Sequence, residues 1–206
     1  LLKQVFTTLL SNYTQDSEYI ESLWGDISKQ HNKKTRYYHN LSHLDHLYYN
    51  LVEVKNEIKD WDIVLFALFY HDYIYNILKQ DNEEQSAKKA VEILSSLPIE
   101  ENRITLCSDM ILATKGHNSS KNSDINYFTD ADLSILGSDW KHYEIYYKNV
   151  RMEYKYYPDF MYNKGRSKVL HHFMDMPAIF KSDHFFKKFE TRAKENLQQE
   201  MNLLLN

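Results

Sequence analysis

Ten histidines stand among 206 residues, and their placement decides what chemistry the chain could do. His71 and Asp72 follow eight residues, 63–70, that are all apolar or aromatic. A helix there carries two ionisable groups toward the interior, which is costly unless they pair or coordinate a cation. Upstream, His39 and His43 stand four apart, so on one helix they share a face and aim at a common point. Asp132 opens a short stretch whose Leu133 and Leu136 would anchor it against a core. Two neutral imidazoles with two carboxylates and no thiolate suit a divalent cation such as Mn, Fe, Co, Ni, Zn or Mg, with positions left for water and substrate. The competing reading of His71-Asp72 is a helix end that reaches solvent. His46, next along the stripe, reads as a packed or partly exposed imidazole. Positions 40 and 41 are Asn and Leu rather than the Glu of a His-Glu-x-x-His helix, so peptide hydrolysis by that route is unsupported.

The elements that must position these groups all read as helices. Four Gly and three Pro leave few breakers, and no alternating run of strand length occurs. Apolar residues recur at helical spacing over residues 14–30, with Asp16 and Ser17 as caps. They recur again over 40–59, where His39, His43, His46 and Asn50 form a polar stripe beside Leu44, Leu47 and Leu51. Residues 61–73 are apolar nearly all round and predict a central, buried helix. Further amphipathic helices are expected over 82–97, stopped by Pro98, and over 101–113, where Gly116 suits a left-handed terminating position. Residues 118–124 read as polar loop and 130–137 as a short helix ended by Gly137. Residues 139–157, 159–174 and 183–205 complete the set. With no repeat or linker, residues 1–206 are expected to form a single domain.

Composition narrows the classes. The formal charge is −4, from 25 basic and 29 acidic side chains, and the lysines are scattered, so no footprint for a long nucleic acid is present. A small-molecule partner is favoured. The single cysteine, Cys107, excludes a disulfide framework and a Cys-based zinc cluster, and points to a reducing cytoplasm. The longest apolar run falls far short of the ~20 residues that span a bilayer, so no membrane role is expected.

Taken in order, His43, His71-Asp72 and Asp132 resemble the H…HD…D signature of the HD superfamily of metal-dependent phosphohydrolases. The segment Tyr38-His39-Asn40-Leu41-Ser42-His43 and the Ala131-Asp132-Leu133-Ser134 run are also similar to motifs of cyclic-nucleotide phosphodiesterases. Over nearly its whole length the chain resembles a family of predicted HD phosphohydrolases of about 200 residues. The shared stretches include Asp81-Asn82-Glu83, Ala113-Thr114 to His117, Asp130 to Gly137, Arg151-x-Glu153-Tyr154, Gly165-Arg166 and Ala193-x-x-Asn196-Leu197.

The resemblance implies an all-α HD-type domain with a metal site between central helices, the ion held by His43, His71, Asp72 and Asp132. It assigns His39 as proton donor to the leaving group. Dinuclear relatives carry two more histidines, for which His117 and the position of Glu83 are the counterparts; Glu83 also reads as a first-turn carboxylate facing its helix dipole. His71-Asp72 is followed by Tyr73-Ile74-Tyr75-Asn76 and not by a Glu-Asp pair, which disfavours guanosine tetraphosphate as substrate. Lys115, His117, Arg151 and Arg166 are the candidate phosphate contacts, each with a surface ion pair as the plainer alternative. The expected activity is hydrolysis of a nucleotide or other small phosphate ester. A di-iron oxygenase of HD fold and a non-catalytic nucleotide- or metal-binding module remain the alternatives.

Overall fold

The structure is a computed structural model that describes residues 1–205. All regular structure among the described residues is helical: ten α-helices and two short 3-10 helices. No described helix is long and apolar enough to cross a membrane. The chain divides into two compact units, Leu1–Thr129 and a second beginning at Asp130.

In the first unit the order is α1 (Leu2–Ser11), α2 (Ser17–His31), α3 (Leu41–Glu53), a 3-10 turn (Lys55–Glu57), α4 (Trp61–Tyr70), α5 (Asn82–Leu94) and α6 (Glu101–Ala113), with the start of α7 (Ser123–Asp132). Helix α4 is the hub, packing on α1, α3, α5 and α6. Its residues Ile63 to Tyr70 are all buried. At about 1.5–3 kcal/mol for each large apolar side chain removed from water, the segment contributes strongly to the unit's core. Asp60 caps α4 by accepting from Ile63 N (3.2 Å), and Arg103 grips the same carboxylate with Nε and a terminal nitrogen (2.7 and 2.8 Å). Asp124, fully buried, accepts the N–H groups of Lys59 and Asp60 and so ties the start of α7 to the start of α4.

Several sequence expectations shift. Helix α1 precedes the first helix read from the sequence; Leu2, Phe6, Leu9 and Leu10 bury its inner face although no side chain caps it. Helix α4 stops at Tyr70, with His71 as its C-cap. The loop expected over 118–124 ends early, because Asn122 Oδ1 accepts from Asp124 N (2.9 Å) and starts α7 at Ser123. Asp132 therefore closes a helix instead of opening one, and residues Leu133–Gly137 continue as a 3-10 turn. The left-handed residue after α6 is His117 (φ 50°), not Gly116. Its N–H still returns to Ala113 O (2.8 Å), so the turn is made at the histidine, at a cost of about 1–2 kcal/mol for a residue with a Cβ.

The second unit holds the 3-10 turn, α8 (Trp140–Glu153), α9 (Asp159–Met174) and α10 (Asp183–Leu205), with α10 packed on both α9 and the turn. Gly137 is required by close approach: a Cβ there would stand 2.4 Å from Phe189 Cβ and 2.8 Å from its Cα. Asn196 Nδ2 fixes the same turn by donating to Leu136 O and Ser138 O (2.8 and 2.9 Å).

Candidate metal centre

Two helix ends of the first unit meet at the centre, and hydrogen bonds link two more to the chain that leaves it. His43, in the first turn of α3, lies 3.2 Å (Nε2 to Nε2) from His71 at the C-cap of α4. The chain leaving α4 is bound to α5 by Ser86 Oγ, 3.0 Å from Ile74 N, which keeps the start of α5 at this end. Lys115, just beyond α6, donates to Gln80 O (2.8 Å) and pairs with Glu84, bringing the end of α6 there as well.

At the centre three atoms form a tight triangle. His43 Nε2 and His71 Nε2 are 3.2 Å apart, His71 Nε2 and Asp72 Oδ2 are 3.2 Å apart, and His43 Nε2 and Asp72 Oδ2 are 3.6 Å apart. Ligand atoms held about 2.0–2.2 Å from one ion at angles of 90–109° stand roughly 2.8–3.6 Å apart, so the triangle fits a shared cation. The tautomer fits too. His71 Nδ1 donates to Leu68 O (3.0 Å), which leaves the Nε2 lone pair facing the triangle. Asp132, the last residue of α7, offers an oxygen that with one nitrogen of each histidine forms a group lying within 4.8 Å of one another, able to hold a metal ion.

Both imidazoles are buried, 5 % and 3 % exposed, while the Asp72 side chain is 20 % exposed. Burial works against ionisation of Asp72, but the imidazoles of His71, His39 and His43 outweigh it and hold the carboxyl well below the usual carboxylate range. The centre thus favours Asp72 as a carboxylate.

The other sequence-derived residues are placed unevenly. His39 is not on the α3 face beside His43, because Asn40 takes the N-cap role (Oδ1 accepting from Ser42 N, 2.8 Å) and leaves His39 outside the helix. Even so, its ring lies 5.8 Å from that of His43 and stacks on Tyr75 at 4.3 Å. Glu83 is half-buried in the first turn of α5, and His117 is half-buried just past α6. His46 turns its Nε2 to Asn50 Nδ2 (3.3 Å). Tyr70 and Tyr73 are buried against each other, while Tyr38 packs on His39 and His43.

Both arginines are committed inside the second unit. Arg151 donates to Tyr154 O (2.9 Å) and Tyr157 O (3.0 Å) and pairs with Asp159, closing the corner between α8 and α9. Arg166 is buried and bidentate on Glu200 (2.7 and 2.9 Å), with Tyr143 on the same carboxylate.

Two residues escaped the sequence reading. Arg36, 5 % exposed, donates to His39 O (3.1 Å), Asp72 O (2.6 Å) and Tyr73 O (3.0 Å), binding the segment with His39 to the one with Asp72. A signal existed: no acid occurs between Asp26 and Asp45, so an arginine there had to find carbonyls or remote partners. His31 is fully buried, its Nδ1 donating to Ile27 O (3.0 Å). Burial, reinforced by the Arg36 charge, pushes its imidazole down to about 3, so it stays neutral.

No family model, curated protein or solved structure matches the chain.

Proposed function

We propose that the chain is a divalent-metal-dependent phosphohydrolase of the HD type, acting on a nucleotide or another small phosphate ester. The observation that carries this reading is the triangle of His43 Nε2, His71 Nε2 and Asp72 Oδ2, with His71 Nδ1 already taken by Leu68 O. Converging buried acceptors repel unless a cation or protons lie between them. His43, His71, Asp72 and Asp132 would hold the ion. A divalent cation there would supply polarisation of a phosphoryl oxygen and a lowered water pKa, from about 15.7 toward about 7 in the best-studied zinc case.

The remaining work falls to the chain's own side chains. His39, gripped at its carbonyl by Arg36 and stacked on Tyr75, is the proton donor to the departing oxygen, a role worth about 10²–10⁴ in rate. His117, at the same gathering of helix ends, is the alternative donor. Lys115 is the cation there that could hold phosphate charge, on exchanging its Glu84 carboxylate for the substrate. Glu83 supplies a further carboxylate on the first turn of α5. Arg151 and Arg166 drop out, since their guanidinium groups already serve Asp159 and Glu200.

The test is a panel of phosphate esters assayed with Mn, Co, Mg and Ni, comparing the protein with Asp72→Ala. The reading expects metal-dependent turnover that the substitution abolishes. If no metal elicits such turnover, a non-catalytic binding module replaces it; two irons per chain with oxygen consumption would replace it with an oxygenase.

A further inference from the structure

The sequence Asp130-Ala131-Asp132 places two carboxylates two apart at the end of α7, about 200° round the helix from each other, so they cannot serve one point equally. Asp130 is fully buried, and its oxygens are engaged. Both accept from Lys181 N (3.0 Å each), and Oδ2 also accepts from Ser182 N and Ser182 Oγ (2.7 Å each). Lys181 Nζ stands 3.3 Å from Oδ1. These donors engage both oxygens of Asp130 and tie its carboxylate to residues 181 and 182.

The segment that grips Asp130 is itself held. Glu190, 5 % exposed, accepts from Ile179 N (3.0 Å to Oε2) and Phe180 N (3.1 Å). Two buried carboxylates therefore take the N–H groups of four consecutive residues, 179–182. The Lys181 ammonium is buried 3.3 Å from Asp130 Oδ1, where it contributes compensating charge.

We infer that Asp130 is the positioning residue for Asp132, acting through the Lys181-Ser182 clamp on the last turn of α7. The inference rests on the reading of Asp132 as a metal ligand. Because Asp130 and Asp132 share one helical turn, fixing the first fixes the rotation of the second, and such supporting contacts carry about 10–100-fold in metal affinity.

The test is Co(II) titration of the whole chain, read by affinity and by the visible absorption of the bound ion, in the unaltered protein and in Asp130→Asn, Ser182→Ala, Glu190→Gln, Asp132→Asn and His71→Ala. Asp130→Asn should weaken binding about 10–100-fold and move the absorption toward that of Asp132→Asn. Ser182→Ala, which removes one donor and keeps the fold, should shift both readouts the same way by less. Glu190→Gln, which loosens the clamp from behind but leaves Asp130 its own donors, should lower thermal stability and shift both readouts far less than Asp130→Asn. Unchanged affinity and spectrum in Asp130→Asn and Ser182→Ala, with Asp132→Asn impaired, overturn the positioning role alone. Equal impairment by Glu190→Gln reduces Asp130 to general stability and also overturns it. If His71→Ala abolishes binding while Asp132→Asn does not, Asp132 is no ligand and this inference falls, leaving the histidine centre standing. No Co(II) binding by the unaltered protein overturns both.

Discussion

Each unit buries a cluster of ionisable side chains, and the two are built on opposite plans. In the second unit Arg166, Glu200, Tyr143 and Tyr146 form a closed circuit in which the guanidinium and the Tyr143 hydroxyl donate to the Glu200 carboxylate. In the first unit His43 Nε2, His71 Nε2 and Asp72 Oδ2 converge on one another at 3.2–3.6 Å. The closed circuit needs nothing further, whereas the converging imidazoles belong to a group that could hold a cation. Burial and charge alone do not separate a structural ion pair from a site; the balance of donors and acceptors does.

The largest effect should come from breaking the closed circuit. Glu200→Ala leaves a buried guanidinium uncompensated and should cost about 3–5 kcal/mol in denaturant unfolding, much of it recovered in the paired replacement Arg166→Met with Glu200→Leu. The paired variant should keep its metal response, which sharpens the contrast between the two plans. For the open centre, metal at 100 times its dissociation constant should raise stability by about 2.7 kcal/mol, and Asp72→Ala should remove that increment. A metal response surviving in Asp72→Ala would erase the distinction.

His31 supplies an intermediate case, a buried imidazole with its Nδ1 satisfied by a helix carbonyl. Its folded pKa, about 3, lies below the ordinary 6.5, so between these values the unfolded chain binds more protons. Its contribution is complete above pH 6.5 and is lost as pH falls toward 3. His31→Leu should flatten the pH dependence of unfolding in that window by at most about 1.4 kcal/mol per pH unit. The smallest effect is expected at Arg151. Its partner Asp159 is largely exposed, so Arg151→Gln should cost under about 1 kcal/mol and leave turnover unaltered. A marked loss of turnover would return Arg151 to the substrate.

Much of the helical frame is written in local pattern. The all-apolar stretch of α4 permits no surface position, and Asp16 caps α2 as its type suggests, accepting from Tyr19 N (2.9 Å). His43 and His71, 28 residues apart in the chain, come within 3.2 Å of each other. What the pattern did not carry depends on tertiary partners. Nothing local says that Arg36 reaches carbonyls thirty-six residues away, or that Arg166 meets Glu200. The left-handed turn at His117 overrides the local preference for Gly116, and the start of α7 turned on one Asn122 side chain within a run read as loop.

Anomalous diffraction from crystals grown with Mn(II) tests the central claim most directly. The account predicts a peak about 2.0–2.2 Å from His43 Nε2, His71 Nε2 and Asp72 Oδ2, with an Asp132 oxygen completing the protein ligands. Saturating Mn(II) with no peak there, or a peak bound by other side chains while the two imidazoles face each other across empty space, would contradict it.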